Sequence, residues 1–466
     1  MKKILGITAI ALSAIMLFLP AAFSATTSPS SGGFDYRVNP IAIELSPNTI
    51  IPDSVPYCSS RSLGSLICYS PNFIRAAYNF PSTLDGTGQT ILIVDAFGSP
   101  TVQNDLTVFD STFGIAAPPS FTILCPTGGC PAFAPSNTFH DEIGWSIETS
   151  LDVEYAHAMA PGANIVLVVA STSSGNAINV AEANAISLYP GSIISQSFGI
   201  PEFLVHNNNA QILQADSNYQ TAAAAKITVF ASAGDSGATN GASTANGLFP
   251  ASDPFVTAVA GSEGMPYFAT GTHFSCATGA TCTSGLTTFT GPCGVGPRPG
   301  FPGCAPTGYG AEQVWNEPKL GAATGGASSL LFGTPSYQSG LGLTSRGAAD
   351  VDYNAAINGG VLVYWTALGS KIWFVVGGTS AGSPQWAAIA ALADQAAGRS
   401  LGFLNPAIYK IAEGPNYAND FHDITVGNNQ LVGTPAGFNA ATGYDLASGW
   451  GTPNVTNLIP DLVANA

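Results

Sequence analysis

The chain has few charged side chains, and basic ones are the scarcest. Of its 466 residues only 12 are Lys or Arg against 28 Asp or Glu, and charged residues make up 9% of the chain, where an ordinary soluble domain has about 25%. The net charge of -16 argues against a nucleic-acid partner, because too few cations are present to neutralise a row of phosphates. A sparsely charged, acidic chain fits an acidic environment, in which surface Lys and Arg would add repulsion.

Long apolar runs are missing except for one at the amino terminus. Two lysines precede an apolar run over residues 4–23, and small residues around Ser24 follow it. This pattern is typical of a cleaved secretory signal over residues 1–24. The alternative is an uncleaved membrane anchor, since the run is nearly long enough to span a bilayer. We therefore expect a secreted, extracellular protein that contacts a membrane only if the signal stays uncleaved.

Cysteine spacing typical of a zinc site is also missing, because zinc sites need CxxC-type spacing with His partners. None of the five histidines lies beside the cysteines. An even number of closely spaced cysteines in an exported chain favours structural disulfides. Local pairing is the simplest connectivity, although the sequence leaves others open. The four expected disulfides are Cys58/Cys68, Cys125/Cys130, Cys276/Cys282 and Cys293/Cys304.

Short apolar runs recur along the middle of the chain. They are rich in β-branched residues and show no polar alternation, which is typical of strands covered on both faces of a parallel sheet. The alternation with helical stretches predicts an α/β fold with a doubly wound, mostly parallel sheet flanked by helices. The predicted strands span residues 90–96, 164–170, 192–197, 227–233, 255–260 and 372–376, and the predicted helices span 141–159, 176–188, 209–225 and 385–397.

The domain organisation follows from composition. Gly, Pro and Cys are dense over residues 265–310, which we interpret as a loop insertion. Residues 25–66 are too few to form their own core, so we interpret them as a short amino-terminal extension or prosegment. One large domain is therefore predicted over residues 67–466.

A strand-to-helix turn carries a candidate nucleophile. Residues 377–384, Gly-Gly-Thr-Ser-Ala-Gly-Ser-Pro, follow an apolar run and precede a helical stretch. Pro384 suits the first turn of that helix. Ser380 is expected to be exposed there, near free backbone N–H groups that can bind an oxyanion. A simpler interpretation is that a serine or threonine of this turn caps the helix.

Other candidate residues are acids. Glu148 and Asp152 lie four residues apart beside an apolar helical stripe, so like charges there would share protons with one pKa raised. Taken alone, a solvated surface pair is the simpler interpretation. Asp235 follows an apolar run in a Gly-flanked turn, where an Asx turn is the simpler interpretation. Asp95 ends the first strand and is a possible orienting neighbour, whereas His157 is interpreted as a packed or capping histidine.

Together these segments resemble the sedolisin family, the serine-carboxyl peptidases with a subtilisin-like fold. The resemblance runs from about Leu66 to the carboxyl terminus and includes ETSLDVEYAHAMAPGANIVLVVA, FASAGDSGA, VVGGTSAGSPQWAAI and GYDLASGWGTPN. It implies that Ser380 is the nucleophile and Glu148 the general base. It also implies that Asp152 orients Glu148 and that Asp235 is the oxyanion-hole acid. Many sedolisins carry an activation domain several times longer than residues 25–67, so the sequence leaves open how this chain stays inactive.

These residue types suit acid. A histidine base is mostly protonated in acid, whereas a glutamate of ordinary pKa remains a usable base at roughly pH 3–5. Asp235 must be neutral to donate a hydrogen bond to an oxyanion. We therefore expect a monomeric endopeptidase that acts on proteins or peptides and loses activity toward neutral pH.

The resemblance further implies one calcium ion near the carboxyl terminus, since carboxylates and backbone carbonyls are ligands that a hard cation prefers. Substrate is expected to lie extended against the backbone of two segments, as an added strand. The implied calcium ligands are the carboxylates of Asp423 and Asp445 and the carbonyls of Ile424, Ala441 and Gly443. The expected substrate-binding residues are Ser197, Phe198, Gly199, Gly325 and Gly326, with Ala327 and Ser328 next to them.

Two other functions fit some of the same residues. The turn at 378–382 also matches GxSxG, the nucleophile elbow of α/β-hydrolases. An esterase of that kind would pair Ser380 with His422 and with Asp394 or Asp420, which leaves the acids described above without a purpose. The second alternative is a non-catalytic extracellular binding protein on a peptidase fold, which would predict the loss of a key side chain. All four are present.

Overall fold

The computed structural model describes residues 32–126 apart from positions 39, 48, 50 and 52–56, then residues 128–135, 142–205, 207–265 and 309–466. Four short strand segments between residues 274 and 306 are also described. The predicted signal over residues 1–24 and most of the predicted insertion lie outside the described residues. The same holds for two of the four expected cysteine pairs.

The longer strands are β1 (Ile41–Glu44), β2 (Tyr57–Ser60), β3 (Gly64–Tyr69), β4 (Thr90–Ala96), β5 (Phe121–Leu124), β6 (Asn164–Ala170), β7 (Ile193–Gln196), β8 (Thr228–Ser232), β9 (Thr257–Met265), β10 (Ala311–Val314), β11 (Val351–Asn354), β12 (Gly360–Trp365) and β13 (Ile372–Gly377). The α-helices are α1 (Pro71–Ala77), α2 (Val102–Phe113), α3 (Glu142–Met159), α4 (Gly175–Leu188), α5 (Ala210–Ala224), α6 (Gly382–Ala397), α7 (Asn405–Ala412), α8 (Tyr417–Asp420) and α9 (Val455–Asn465).

Shorter elements complete the described chain. Two-residue strands pair Ile200–Pro201 with Leu248–Phe249, Asn316–Glu317 with Ala322–Ala323, and Phe421–His422 with Thr452–Pro453. Other short strands are Phe274–Ser275, Thr281–Thr283, Thr288–Thr290 and Ala305–Pro306, and the 3₁₀ turns are Glu202–Leu204, Ser336–Leu341 and Thr379–Ala381.

The main sheet is parallel in the order β5-β6-β4-β7-β8-β9-β11, with β10 antiparallel against the second half of β9. Successive β4 residues point to opposite cores: Ile91 and Ile93 face one core, and Leu92 and Val94 face the other. Helices α3 and α6 cover the first face and α4 and α5 the second, which explains why the strand sequences show no polar alternation. The chain crosses from β6 to β7 past β4, so loops gather at the carboxyl ends of these strands.

A second sheet departs from the prediction. Residues 372–376 were expected in the parallel sheet, but β13 lies in a separate sheet of order β1-β13-β12-β3-β2. There β13 pairs antiparallel with both β1 and β12. This sheet packs on α3, where Tyr155 donates a hydrogen bond to the Leu362 carbonyl at 3.0 Å and Trp365 donates to Ser146 at 3.1 Å. A strand buried on both faces has the same apolar sequence pattern in either sheet. The apolar run alone therefore does not identify the sheet to which the strand belongs.

Two predicted disulfides are present. Cys58–Cys68 joins β2 to β3, and Cys125–Cys130 closes the loop after β5. Local pairing is therefore confirmed for these two pairs. Within the described ranges, no helix combines the length and apolar character needed to cross a membrane.

Candidate active site

Helix α3 carries Glu148 and Asp152 into the interior. The helix is covered by the main sheet on one side and by the second sheet on the other, so both side chains are fully buried. The interpretation of a solvated surface pair is therefore wrong. Asp95, at the carboxyl end of β4, is also fully buried and interacts electrostatically with both.

These three acids, Asp95, Glu148 and Asp152, form what we call the acid cluster. Burial is the main cause that raises the pKa of each, and repulsion from the neighbouring acids raises it further for Glu148 and Asp152. In the described part of the chain, none of the groups that shift these pKa values is a cation. The cluster therefore holds protons more tightly than isolated carboxyls do.

Hydrogen bonds fix one end of the cluster. The Ser197 hydroxyl donates to Asp152 Oδ1 at 2.8 Å and lies 3.3 Å from the carbonyl oxygen of Ser380. Ser197, directly after β7, thus ties α3 to the turn that carries the candidate nucleophile.

Asp235 lies across from the acid cluster, just after β8. Its Oδ1 accepts hydrogen bonds from the Thr379 N–H at 2.8 Å and from the Thr379 hydroxyl at 2.9 Å. The carboxylate therefore bonds across the cleft, and the interpretation as an Asx turn is wrong. Burial raises the pKa of Asp235 to about 6.

Ser380 lies in the 3₁₀ turn between β13 and α6. Gly378 precedes it with φ of 114°, and a Cβ at this position would come within 2.8 Å of Asp235 Oδ2. Only glycine combines that backbone conformation with that space. The carboxyl of Asp235 is thus held against the turn that carries the candidate nucleophile.

Ser380 also approaches the acid cluster, where its hydroxyl partly offsets the effect of burial on the pKa of Glu148. The contact is loose, since neither Glu148 oxygen makes a hydrogen bond of ordinary geometry to a described residue. Such bonds often tighten only when substrate binds. Ser380 is 4% exposed rather than open to solvent as predicted.

Ser380 lines a cavity beside this turn. Asp235 and Gly199 line it from the strand ends, and Arg37 and Val38 line it from the amino-terminal segment. Ser197 and Phe198 also line the cavity, so three of the expected substrate-binding residues meet there. Arg37, Val38 and Thr379 were not predicted as site residues, although Thr379 stands beside the candidate nucleophile in the quoted motif.

The other expected substrate segment has its backbone engaged within the protein. The Gly325 N–H donates to the Gly234 carbonyl at 2.6 Å. The side-chain amide of Asn429 donates to the carbonyls of Gly325 and Gly326, each at 2.9 Å. These glycines lie against the end of β8, and their role in binding substrate stays a prediction.

The structure does not assemble the residues of the alternative esterase. His422 stacks on Tyr309 with ring centroids 3.5 Å apart, and burial lowers its pKa to about 4. Neither His422 nor the candidate acids Asp394 and Asp420 line the cavity that holds Ser380. His157 is packed as expected, with Nε2 2.9 Å from the Ala116 carbonyl.

The residues expected to hold calcium lie on two chain segments that contact each other. Gly443 N–H donates to Asp423 Oδ2 at 3.0 Å, and Ala441 N–H donates to Asp445 Oδ2 at 2.8 Å. Within the described residues neither acid has an ion pair, and no hydrogen bond reaches the carbonyls of Ile424, Ala441 or Gly443. Two carboxylates beside unused carbonyls fit a hard cation.

Comparison with known proteins identifies relatives over most of the chain. Kumamolisin of Bacillus sp. (strain MN-32) is 30% identical over 419 residues, which cover 85% of this chain and 64% of kumamolisin. Sedolisin of Pseudomonas sp. (strain 101) is 28% identical over 410 residues, which cover 84% of this chain and 60% of sedolisin. The chain thus spans less than two thirds of the length of these curated relatives. No protein-family model matches it.

A solved structure gives the same assignment. Pseudomonas sedolisin, described as a serine-carboxyl proteinase complexed with two molecules of pseudo-iodotyrostatin, superposes with a TM-score of 0.66 at 25% identity. The match covers 86% of this chain and 100% of that one. The sheet order and these similarities define a subtilisin-like α/β protein, which confirms the predicted fold. Most of the chain is therefore homologous to peptidases of the sedolisin family.

Proposed function

We propose that this protein is a secreted, acid-active serine endopeptidase of the serine-carboxyl type, which hydrolyses peptide bonds of proteins or peptides. The observation that carries the proposal is that the acid cluster and Asp235 both lie beside the turn that carries Ser380. Ser380 stands at the strand-to-helix turn, the acid cluster lies on one side of it, and Asp235 is held against its loop. Relatives named as serine-carboxyl peptidases support the same reaction class.

In the proposed reaction, Ser380 Oγ attacks the substrate carbonyl while Glu148 takes the hydroxyl proton. Collapse of the tetrahedral intermediate breaks the peptide bond, and Glu148 returns the proton to the leaving amine. Water then attacks the acyl-enzyme ester with Glu148 acting again as base, which releases the acid product and restores Ser380. Asp152, held by Ser197 at 2.8 Å, keeps the acid cluster in register with the nucleophile.

Asp235 supplies the oxyanion hole in this scheme. Its Oδ1 already accepts two hydrogen bonds from Thr379, so a proton on the carboxyl resides on Oδ2. With a pKa of about 6, Asp235 is mostly neutral in acid and able to donate. Ionised, it would repel the developing oxyanion, so we expect activity to fall as pH rises through about 6.

The base differs from the sequence-based expectation. One pKa of the Glu148/Asp152 pair was expected to be raised, and the base was expected to act at an ordinary glutamate pKa. Burial and the neighbouring acids instead raise the pKa of both residues. The relevant event is the first ionisation of the acid cluster, which belongs to the coupled group rather than to one residue. The proposed mechanism therefore requires that this first ionisation occurs at a lower pH than the ionisation of Asp235.

We also propose that Asp423 and Asp445, with the carbonyls of Ile424, Ala441 and Gly443, hold one calcium ion. The ion would neutralise two neighbouring carboxylates and fasten the loop, without entering the reaction. Secretion is proposed because residues 1–24 resemble a signal and the Cys58–Cys68 and Cys125–Cys130 disulfides suit an oxidising compartment. A monomer is proposed as well.

The deciding experiment is an assay of the purified chain and of its Ser380→Ala variant on a denatured protein at about pH 3.5 and about pH 7.5. Cleavage confined to acid and lost in the variant is the expected result. Equal cleavage at both pH values would contradict the mechanism and favour a histidine-based hydrolase. A folded protein that cleaves nothing at either pH would favour a binding protein. This result counts only once the amino-terminal segment that carries Arg37 and Val38 has been removed from the cavity.

A further inference from the structure

An amino-terminal segment runs across the cleft as an added strand. Arg37 exchanges two backbone hydrogen bonds with Gly199, at 3.0 and 2.9 Å. On the other edge, Tyr36 N–H donates to the Ser173 carbonyl at 2.8 Å, and Gly175 N–H donates to the Phe34 carbonyl at 2.9 Å. The segment therefore lies between the loops that follow β6 and β7, as an extended peptide would.

Side chains fasten the beginning of the same segment. Phe34 N–H donates to Gln211 Oε1 at 2.9 Å, and the Asn209 amide donates to the Gly32 carbonyl at 2.6 Å. At its other end, Val38 lines the cavity that contains Ser380. The strand thus begins at α5 and ends beside the nucleophile, and at Gly199 it makes the pairing that we expect of a substrate.

Tyr36 is the anchor of this strand. Its side chain is 1% exposed, with ring centroids 4.8 Å from Phe198 and 6.3 Å from Phe249. The hydroxyl oxygen has no hydrogen-bond partner among the described residues, and the buried acids Glu182 and Asp253 lie near enough to raise its pKa beyond the effect of burial. The pocket is therefore matched to the ring rather than to the hydroxyl, and its acids disfavour a negative side chain.

We propose that the pocket holding Tyr36 is a substrate subsite for an aromatic side chain, and that residues 34–38 fill it as a built-in pseudosubstrate. This inference rests on the proposed function, since the cleft receives substrate only if Ser380 acts on peptides. Backbone hydrogen bonds to Gly199 contribute affinity for a peptide of any sequence, whereas a side-chain pocket gives specificity. A substrate must displace the segment, so the intact chain works below its full rate.

The test compares the full-length chain with its Tyr36→Ala and Tyr36→Phe variants on a peptide substrate in acid. Tyr36→Ala loses the anchor, so we expect kcat/KM to rise by about tenfold or more, whereas Tyr36→Phe keeps the ring and stays close to the parent. A peptide copying residues 32–38, GGFDYRV, should then inhibit Tyr36→Ala. GGFDFRV should do the same, and GGFDARV should not.

A second variant covers the case in which Tyr36→Ala fails to fold, because the ring is also part of the core. Arg37→Pro removes the N–H that donates to Gly199 but leaves Tyr36 in place. Activation by either folded variant supports the proposal, with folding checked by circular dichroism. Two folded variants with the rate of the parent would overturn it.

A binding measurement separates this inference from the proposed function. Fluorescently labelled GGFDYRV is titrated into the full-length Tyr36→Ala/Ser380→Ala double variant and followed by anisotropy. Binding at least about tenfold weaker for GGFDARV than for GGFDYRV would support the aromatic pocket even if no peptide bond is ever cleaved. Equal affinity for the two peptides, or no binding of either, would overturn it whatever the activity.

Discussion

Two sets of buried acids in this protein, Asp350 and the acid cluster, differ in the cations and hydrogen-bond donors that surround them. Asp350 is paired with Arg346, whose guanidinium contacts both carboxylate oxygens, and it also accepts hydrogen bonds from Tyr409 at 2.6 Å and from the Ala258 N–H at 2.7 Å. The acid cluster has no cation among the groups that shift its pKa values, and both oxygens of Glu148 lack an ordinary hydrogen bond in the described structure.

The difference separates architecture from chemistry. A buried acid that braces the fold is supplied with a cation and a full set of donors, so both of its oxygens have partners. Acids that are short of donors change protonation with pH, which is what a general base and an oxyanion-hole donor require. Four experiments test this contrast.

The largest expected effect is the loss of catalysis in Glu148→Gln. Removing the base should lower kcat by about 10⁴-fold, or about 5.5 kcal/mol of transition-state stabilisation. Stability at neutral pH should not fall, because a carboxyl with a raised pKa gains nothing from ionising in place. The matched control is Glu154→Gln, a fully buried acid on the same helix, which should keep kcat within a few-fold. Turnover and thermal unfolding measured together decide between the two.

Arg346→Met tests the braced pair. Leaving Asp350 buried without its cation should lower the free energy of unfolding by about 3–5 kcal/mol. The double variant Arg346→Met/Asp350→Leu should recover much of that loss, because no unpaired charge remains. Urea unfolding of the three proteins measures both effects. If Arg346→Met were as stable as the parent, the contrast between the paired Asp350 and the acid cluster would be contradicted.

The pH dependence of stability tests Asp235. Its raised pKa means that the folded protein holds this proton at pH values where the unfolded chain has lost it, so stability is full below about pH 4 and falls as pH rises through about 6. A shift of about two pKa units corresponds to about 3 kcal/mol. The other acids with raised pKa values act in the same direction.

Asp235→Asn isolates that contribution. The amide fits the same space and donates a hydrogen bond at every pH, so its stability should fall less as pH rises, and its activity should persist above pH 6. Asp235→Ala lacks the donor and should instead lose about 10²–10³ in kcat. Identical pH profiles for the parent and Asp235→Asn would rule out a neutral Asp235 as the donor.

The smallest expected effect comes from removing calcium. At a calcium concentration about 100 times its dissociation constant, binding should add about 2.7 kcal/mol to the free energy of unfolding, and a chelator should remove it. Asp423→Asn should abolish this calcium dependence, whereas the exposed Glu413→Gln should retain it. Thermal unfolding with and without calcium gives the comparison. Unchanged curves would exclude the ion.

Local sequence patterns predict the parts of this fold that local patterns determine. The limits of β4 and β6 match the predicted runs because continuous β-branched residues mark a strand covered on both faces. Such apolar runs do not indicate which sheet a strand joins. The prediction that β13 lies in the main parallel sheet was therefore wrong. Periodicity also does not state how many sides of a helix are covered, so the burial of Glu148 and the rise of its pKa depend on the second sheet.

The site shows the same limit. Ser380, Glu148 and Asp235 were found through a motif resemblance, which supplies residues but not their protonation. The strand over residues 34–38 carries no such motif and was not predicted. A signal was present nonetheless: Phe34 and Tyr36 alternate with Asp35 and Arg37, and the structure buries the first two and exposes the others.

The segment over residues 34–38 is covalently continuous with β1, and this fixes its effective concentration at the cleft. Only Asn39 and Pro40 separate Val38 from Ile41, where β1 begins its pairing with β13, the strand that leads into the Ser380 turn. So short a tether holds the segment at an effective concentration in the millimolar range, however dilute the protein becomes. Its hold on the cleft is therefore independent of protein concentration and ends only when the chain is cut between the segment and β1.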